Sequence, residues 1–228
     1  MKRKPSTRYG APPAKRYARA VPRPVGLSRV YGRPGILEVK SCDMVSAGAA
    51  LGAAAAVVGA EPAAAYTGMT EVNLIRQGAT VAQRIGNKVV IKSLDLWAMV
   101  NSSTTGYGVA RVMLVYDRQP NGAFPAIGDI ILSQPSASVS DFSGINMANK
   151  SRFQMIRDEA VVTSGVTGPH AVILHWFCKG KWEVEFGADA GAITDFRTGA
   201  IYLIAYYTHN YVNVPSIADI HCRVRYYD

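Results

Sequence analysis

Two segments of the chain alternate apolar and polar side chains with a period of two. In residues 181–186, KWEVEF, the side chains of Trp182, Val184 and Phe186 share one face, and charged side chains share the other. Residues 218–226 repeat the pattern with a second apolar face, formed by Ala218, Ile220, Cys222, Val224 and Tyr226. A period of two is that of a β-strand with one buried face. Both segments are therefore predicted to be strands.

Four other segments are apolar on both faces, which is typical of strands covered on both sides. They are residues 89–100, 109–116, 171–178 and 201–207. We expect them to be central strands, covered by a facing sheet on one side and by a neighbouring element or subunit on the other.

With two further apolar segments, the pattern gives eight strands and no crossover helices. The predicted strands are 36–44, 88–100, 109–117, 152–162, 171–178, 181–187, 200–208 and 217–227. This set predicts an all-β fold, a single eight-stranded jelly-roll sandwich over residues 36–228. The two longest connections, 45–87 and 118–151, are predicted to be functional or interface-forming. The Ala/Gly-rich run at 46–65 is left open between a loose loop, a short helix and a membrane-active segment.

Charge divides the chain into two parts. The 228 residues have a formal net charge of +9. Residues 1–40 contain eleven Lys/Arg and one acid, whereas the remaining 188 residues contain 14 basic and 15 acidic side chains. The sequence therefore predicts a basic arm on a nearly neutral body.

The arm, residues 1–35, is predicted to be disordered and to bind nucleic acid. Six of the twelve prolines lie in residues 1–34 and prevent an amphipathic helix. Arginine and lysine neutralise phosphates, and interleaved tyrosines stack on unpaired bases. The predicted contacts are Lys2, Arg3, Lys4, Arg8, Lys15, Arg16, Tyr17, Arg19, Arg23, Arg29 and Arg33. Basic runs at 2–4 and 15–19 also fit nuclear import signals, and a solubilising tail is the alternative.

Other classes of protein find little support in the sequence. The three cysteines are widely spaced and suggest neither a disulfide framework nor a zinc site. The N-terminus has no apolar core of a signal peptide, and the longest apolar run, 47–60, is shorter than the ~20 residues of a membrane span. We therefore expect no metal or other cofactor and no membrane span.

Catalytic motifs are also missing from the sequence, which has no GxSxG, HExxH, P-loop or GxGxxG pattern. His175 and Cys178 lie on an apolar predicted strand, where core or interface roles are expected. Asp158 and Glu159 are adjacent on a strand and so point to opposite faces, which leaves repulsion or cation binding between subunits open. We predict that the protein is not an enzyme and has no small-molecule substrate.

Two stretches carry a resemblance to a known family. Residues 77–93, QGATVAQRIGNKVVIKS, place a glycine and an Arg-Ile-Gly before a basic strand, and residues 112–122, VMLVYDRQPNG, add a strand and a turn. With the closing strands, they resemble the capsid proteins of small circular Rep-encoding single-stranded DNA viruses, the circovirus- and geminivirus-like group. The resemblance covers roughly residues 70–228, and the arm is similar in character only.

The resemblance implies a jelly-roll subunit of a T=1 icosahedral shell with about sixty copies. It implies that the arm faces a packaged single-stranded DNA genome. The implied partners are other copies of the chain, the genome and the host nuclear import machinery, and the implied locations are the virion and, during assembly, the host nucleus. That the genome is DNA rests on the resemblance alone.

Two questions stay open at the level of sequence. Arg84, Lys88 and Lys92 either line an interior surface and extend the phosphate contacts, or pair with acids across a subunit interface. The alternative function is a cellular nucleic-acid-binding β-sandwich, ribosomal or chromatin-associated, with a basic tail. A body that is not itself basic counts against such a reader.

Overall fold

The chain folds into antiparallel β-strands, and the all-β prediction is confirmed. A computed structural model describes residues 39–46, 59–61, 65–101, 107–132, 143–164, 171–207 and 216–228. The strands in these ranges are β1 (Val39–Ser46), β2 (Gly59–Glu61), β3 (Ala65–Glu71), β4 (Lys88–Asn101), β5 (Tyr107–Asp117), β6 (Phe153–Ser164), β7 (Ala171–Phe186), β8 (Phe196–Thr198), β9 (Ala200–Tyr207) and β10 (Ser216–Tyr227). The helical elements there are α1 (Ile127–Ile130) and two 3-10 turns, Met147–Asn149 and Ile193–Asp195.

The strands form two five-stranded sheets. Sheet A has the order β1-β10-β4-β7-β8, and sheet B has the order β2-β3-β9-β5-β6. The first and last strands are paired along their length, from Val39 opposite Tyr227 to Ser46 opposite Ile220. Five of the eight neighbouring pairs join strands that are not consecutive in the chain, and the arrangement is consistent with a β-sandwich.

The core lies between the two sheets and uses the alternating positions seen in the sequence. Along β7, the side chains of Leu174, Trp176 and Cys178 are buried while their neighbours are exposed. Hydrogen bonds also join the sheets: Tyr116 Oη donates to the Glu183 carbonyl oxygen at 2.7 Å, and Trp176 Nε1 donates to Glu159 Oε2 at 2.8 Å. The polar atoms of the Tyr116 and Trp176 rings are thus satisfied, whereas the buried hydroxyl groups of Tyr202 and Tyr226 have no hydrogen-bond partner among the described residues.

One predicted boundary between two strands is wrong. The sequence analysis separated strands 171–178 and 181–187, but they form the single strand β7. An irregularity in the pairing with β4 falls between Ile91 and Ser93, opposite this point. A Cβ atom at Gly180 would lie 2.5 Å from the Trp182 ring, so only glycine lets this ring fold over the strand. Gly180 therefore marks a bulge within a continuous strand.

The connection predicted at 45–87 also contains strands. β2 and β3 lie within it, and β3 pairs with β9 from Tyr66 opposite Tyr207 to Glu71 opposite Tyr202. The sequence of β3, AYTGMTE, has no clean alternation, which is why the pattern missed it. Most of the Ala/Gly-rich run lies outside the described residues.

The second long connection covers the face of sheet B that is turned away from sheet A. Tyr116 reaches sheet A, so even positions of β5 face the core and odd positions, such as Arg111, face away. Arg111 Nη1 donates to the Ser143 carbonyl oxygen at 2.6 Å, and the Phe124 ring meets the Tyr202 ring edge-on at 5.5 Å. This cover explains why β5 and the start of β9 are buried on both faces, as predicted.

Candidate nucleic-acid interface

The arm predicted to contact nucleic acid lies outside the described residues. This concerns Lys2, Arg3, Lys4, Arg8, Lys15, Arg16, Tyr17, Arg19, Arg23, Arg29 and Arg33. Their roles stay predictions. The structure begins at Val39 of β1, directly after this basic segment.

Arg84 differs from the expectation that it contacts phosphate or a partner's acid. Its side chain is buried, with only 1% of the residue exposed. Nε donates to the Ile75 carbonyl oxygen at 3.0 Å, Nη1 donates to the Gly86 carbonyl oxygen at 2.7 Å, and Nη2 donates to the Ala188 carbonyl oxygen. The guanidinium carbon also lies 4.3 Å from the centroid of the Phe186 ring. Arg84 therefore holds loops together and has no surface to offer a phosphate.

Asp228 binds the loop that contains Arg84. The Asp228 carboxylate accepts hydrogen bonds from the backbone N–H groups of Ile85 and Gly86 and forms a 2.9 Å ion pair with Lys40 Nζ. Burial alone would raise the pKa of Asp228, but these donors outweigh burial and hold the pKa below its usual value. The side chains of Lys40 and Asp228 are only 10% and 9% exposed. This contact, the Asp228 clasp, ties β1 to the loop before β4.

Lys88 and Lys92 lie at the surface. Lys88 Nζ is 3.2 Å from Glu185 Oε2 of the same chain, and its side chain is 77% exposed. Lys92 Nζ lies 5.5 Å from the centroid of the Tyr227 ring and has no acidic partner among the described residues. Both lysines can reach a phosphate, so of the three predicted residues only Arg84 is excluded by burial.

Sheet A has an uncovered face that the sequence analysis did not identify. Its outer face, meaning the face turned away from sheet B, exposes Trp97 at 44%, Phe177 at 43% and Ile173 at 67%. These side chains of 89–100 and 171–178 are thus left exposed within the chain, and the predicted cover of these strands by a neighbouring subunit stays a prediction. The His175 ring, expected in the core or at an interface, stacks on Trp97 at 3.8 Å, and its Nε2 lies 2.8 Å from Asp95 Oδ1.

The adjacent carboxylates Asp158 and Glu159 diverge as predicted. Asp158 forms two hydrogen bonds with the guanidinium of Arg111 on β5, whereas Glu159 accepts the Trp176 N–H from the other sheet. Each is engaged within the chain, so the two do not form a shared cation site. In the described ranges, no group of three His, Cys, Asp or Glu residues is arranged to hold a metal ion. Over the same ranges, no helix has the length and apolar character to cross a membrane.

The two sheets, consistent with a β-sandwich, follow a strongly basic segment of the sequence. The model of the geminivirus coat protein/nuclear export factor BR1 family matches residues 3–228. The chain belongs to this family, and it is a capsid protein of a geminivirus-like single-stranded DNA virus. No individual curated protein is similar enough to match the chain.

The family match confirms the resemblance seen in the sequence and extends it. The match begins at residue 3, so it includes the arm, which was similar in character only, and residues 44–69, which the resemblance left out. A coat protein is structural, which agrees with the prediction of no enzymatic activity. The alternative of a cellular ribosomal or chromatin-associated protein finds no support in this match.

Proposed function

We propose that the protein self-assembles into a T=1 icosahedral shell of about sixty copies and packages single-stranded DNA through its basic arm. The observation that carries this proposal is the division of charge, with eleven Lys/Arg and one acid in residues 1–40 and a nearly neutral body. A coat protein needs one part that attracts the genome and another part that packs against copies of itself. The two parts of the chain match those two tasks.

The finer architecture proposed for the body is a jelly roll, and its support is the strand order. Without the three-residue edge strands β2 and β8, two four-stranded sheets remain, β1-β10-β4-β7 and β3-β9-β5-β6. The pairing of the first strand with the last, and of strands distant in sequence, is what two Greek keys produce in an eight-stranded jelly roll. This fold closes its sheets on each other and leaves loops at both ends for contacts between subunits.

The arm is proposed to act mainly as a counter-charge for the genome. Sixty arms with a charge of +10 supply about 600 positive charges. The gene for a 228-residue chain alone has about 680 nucleotides, so arms neutralise only part of any genome that encodes it. Small counter-ions must supply the rest, and packaging should weaken steeply as salt is raised. The same basic runs, 2–4 and 15–19, are proposed to engage the nuclear import machinery.

The role of the arm in packaging is tested by assembling particles from three versions of the chain. One contains the whole chain, one lacks residues 1–35, and one keeps the length but has the Lys and Arg residues of 1–35 replaced by Gln. We expect particles with strongly reduced nuclease-protected DNA from both altered chains, measured by absorbance and by gel after nuclease treatment. Equal packaging by all three would overturn the role of the arm. A small DNA-carrying oligomer that never closes into shells would instead fit the nuclear export factor in the family's name.

A further inference from the structure

We propose that the outer face of sheet A is a second binding site for single-stranded DNA, with rings that stack on bases beside cations that hold phosphates. This inference rests on the proposed packaging function and deepens it. It assigns part of the genome contact to the folded body, in addition to the arm. The site is the set of outward side chains on β4, β7 and β10.

The stacking part of the site is formed by two neighbouring rows. Trp97 of β4 stacks on His175 of β7, and Phe177 is the next outward side chain along β7. The Trp97 and Phe177 side chains are both nearly half exposed. Exposed aromatic side chains on a sheet bind unpaired bases because every base has a flat face to stack on. His175 is held by Asp95, so the Trp97–His175 stack is fixed before a ligand arrives.

The phosphate-binding part borders these rings. Lys92, Lys179, Lys181 and Arg225 form no ion pair with any carboxylate in the described part of the chain. Arg225 and Lys179 face each other across Ser93 of β4 in the pairing register. Lys179 Nζ lies 5.6 Å from the centroid of the Phe177 ring. Rings and cations are therefore interleaved, as a stacking platform for single strands requires.

Three of the acids on this face are already paired within the chain. Asp43 is paired with Arg223 through two hydrogen bonds. Asp95 is paired with His175. Glu185 forms ion pairs with Lys88 and Arg197. The side chains of Glu183 on β7 and Asp219 on β10 are exposed and form no ion pair in the described part of the chain. These two acids face four unpaired cations, so the cations remain in surplus around the rings.

Charge also decides between possible occupants of the face. A second copy packed face to face would bring the unpaired lysines of both copies together, with few free acids to receive them. The chain's own residues 1–38 are strongly basic and would be repelled in the same way. A polyanion with exposed bases matches both the charge and the rings.

The intrinsic tryptophan fluorescence of the whole chain gives a direct test. The chain has three tryptophans, none of them in the arm, and Trp176 and Trp182 are buried at 6% and 5% exposure. We expect a twelve-residue oligodeoxythymidine to quench the emission of Trp97 by stacking. A twelve-residue abasic oligodeoxynucleotide should bind through phosphates without quenching. Binding itself is followed separately, by the anisotropy of a dye on the oligonucleotide.

Two substitutions at one position separate stacking from folding. Trp97→Phe should abolish the quenching and keep the affinity within about twofold, because a stacking ring remains. Trp97→Ala should weaken binding by about fivefold or more, the low end of what loss of one stacked base costs. Equal affinity for all three chains, or quenching that persists in Trp97→Phe, would overturn the proposal.

The phosphate contacts are tested by matched pairs of charge removals. Lys179→Gln with Lys181→Gln should reduce the slope of log K against log salt by about 1.4, since each phosphate contact to a single strand contributes about 0.7. Lys150→Gln with Arg157→Gln removes two exposed charges away from sheet A and should leave the slope unchanged. Equal slopes for the two double variants would refute the site.

The two proposals fail in distinguishable ways. If the whole chain gives no anisotropy change with either oligonucleotide, DNA binding itself is wrong. If anisotropy changes but Trp97 is never quenched, the arm binds and the sheet A face does not. If quenching appears on concentrating the protein without DNA, a second copy covers this face, and the inference is overturned.

Discussion

Replacing Arg84 by alanine tests whether this arginine holds the fold or contacts the genome. The change removes the donors to three backbone carbonyl oxygens, those of Ile75, Gly86 and Ala188. It also removes the contact with the Phe186 ring. Each buried acceptor left without a donor costs about 1–3 kcal/mol. Because the loops can admit some water, we expect a total loss of about 3–5 kcal/mol in the free energy of unfolding.

The assay is denaturation by urea of the unassembled subunit, followed by circular dichroism. Arg84→Ala should lower the midpoint strongly with little change in slope, since the surface exposed on unfolding is nearly the same. Arg84→Lys keeps the charge but cannot reach all three carbonyls, so an intermediate loss of about 2 kcal/mol is expected. Lys88→Ala is the control, since its exposed side chain should matter by no more than about 0.5 kcal/mol.

One result would refute this reasoning. If Arg84→Ala unfolds at the wild-type midpoint but binds single-stranded DNA more weakly, then Arg84 is a phosphate ligand. The role assigned from its burial would then be wrong.

Two further changes test other contacts in the fold. Gly199 has a φ of 80°, and a Cβ atom there would lie 2.0 Å from the Glu183 carbonyl oxygen, so Gly199→Ala should lower the free energy of unfolding by about 2–4 kcal/mol. The control is Gly144→Ala, where a Cβ atom has nothing within 4 Å and the loss should be less than about 0.5 kcal/mol. Both are measured by thermal unfolding. Asp228→Asn should destabilise by about 1–2 kcal/mol at neutral pH. Because folding lowers the pKa of Asp228, its contribution to the free energy of unfolding is full above about pH 4 and is lost as pH falls further. The difference in stability between Asp228→Asn and wild type should therefore shrink in acid. A difference that stays constant with pH would contradict the role given to the Asp228 clasp.

The strands were predictable where alternation reflects a fold with one buried face. Residues 181–186 and 218–226 lie in β7 and β10. The expected inward side chains are buried from Trp182 to Phe186 and from Ile220 to Tyr226. Gly180 misled the prediction because a glycine between two apolar runs fits a turn as well as a bulge. Only the position of the Trp182 ring over its backbone distinguishes the two.

The site was less predictable because its determinants are distant in sequence. The residues around Arg84 in the sequence do not distinguish it from an exposed arginine, because one of its hydrogen-bond acceptors, the Ala188 carbonyl oxygen, is 104 residues away. β5 and β7 both read as strands that are apolar on two faces. The connection 118–151 covers β5, whereas β7 keeps Ile173 and Phe177 at the surface. A pattern of side chains shows that a strand needs cover, but it does not show whether that cover comes from the same chain.

The central claim is that this chain is a self-assembling shell protein that encloses single-stranded DNA. The most direct measurement is electron microscopy of the purified whole chain after nuclease treatment, with the protected nucleic acid extracted and identified. We predict closed particles of uniform diameter with icosahedral symmetry, containing DNA that is digested by a single-strand-specific nuclease once released. A subunit that stays monomeric or dimeric at all salt concentrations with single-stranded DNA present would contradict the account.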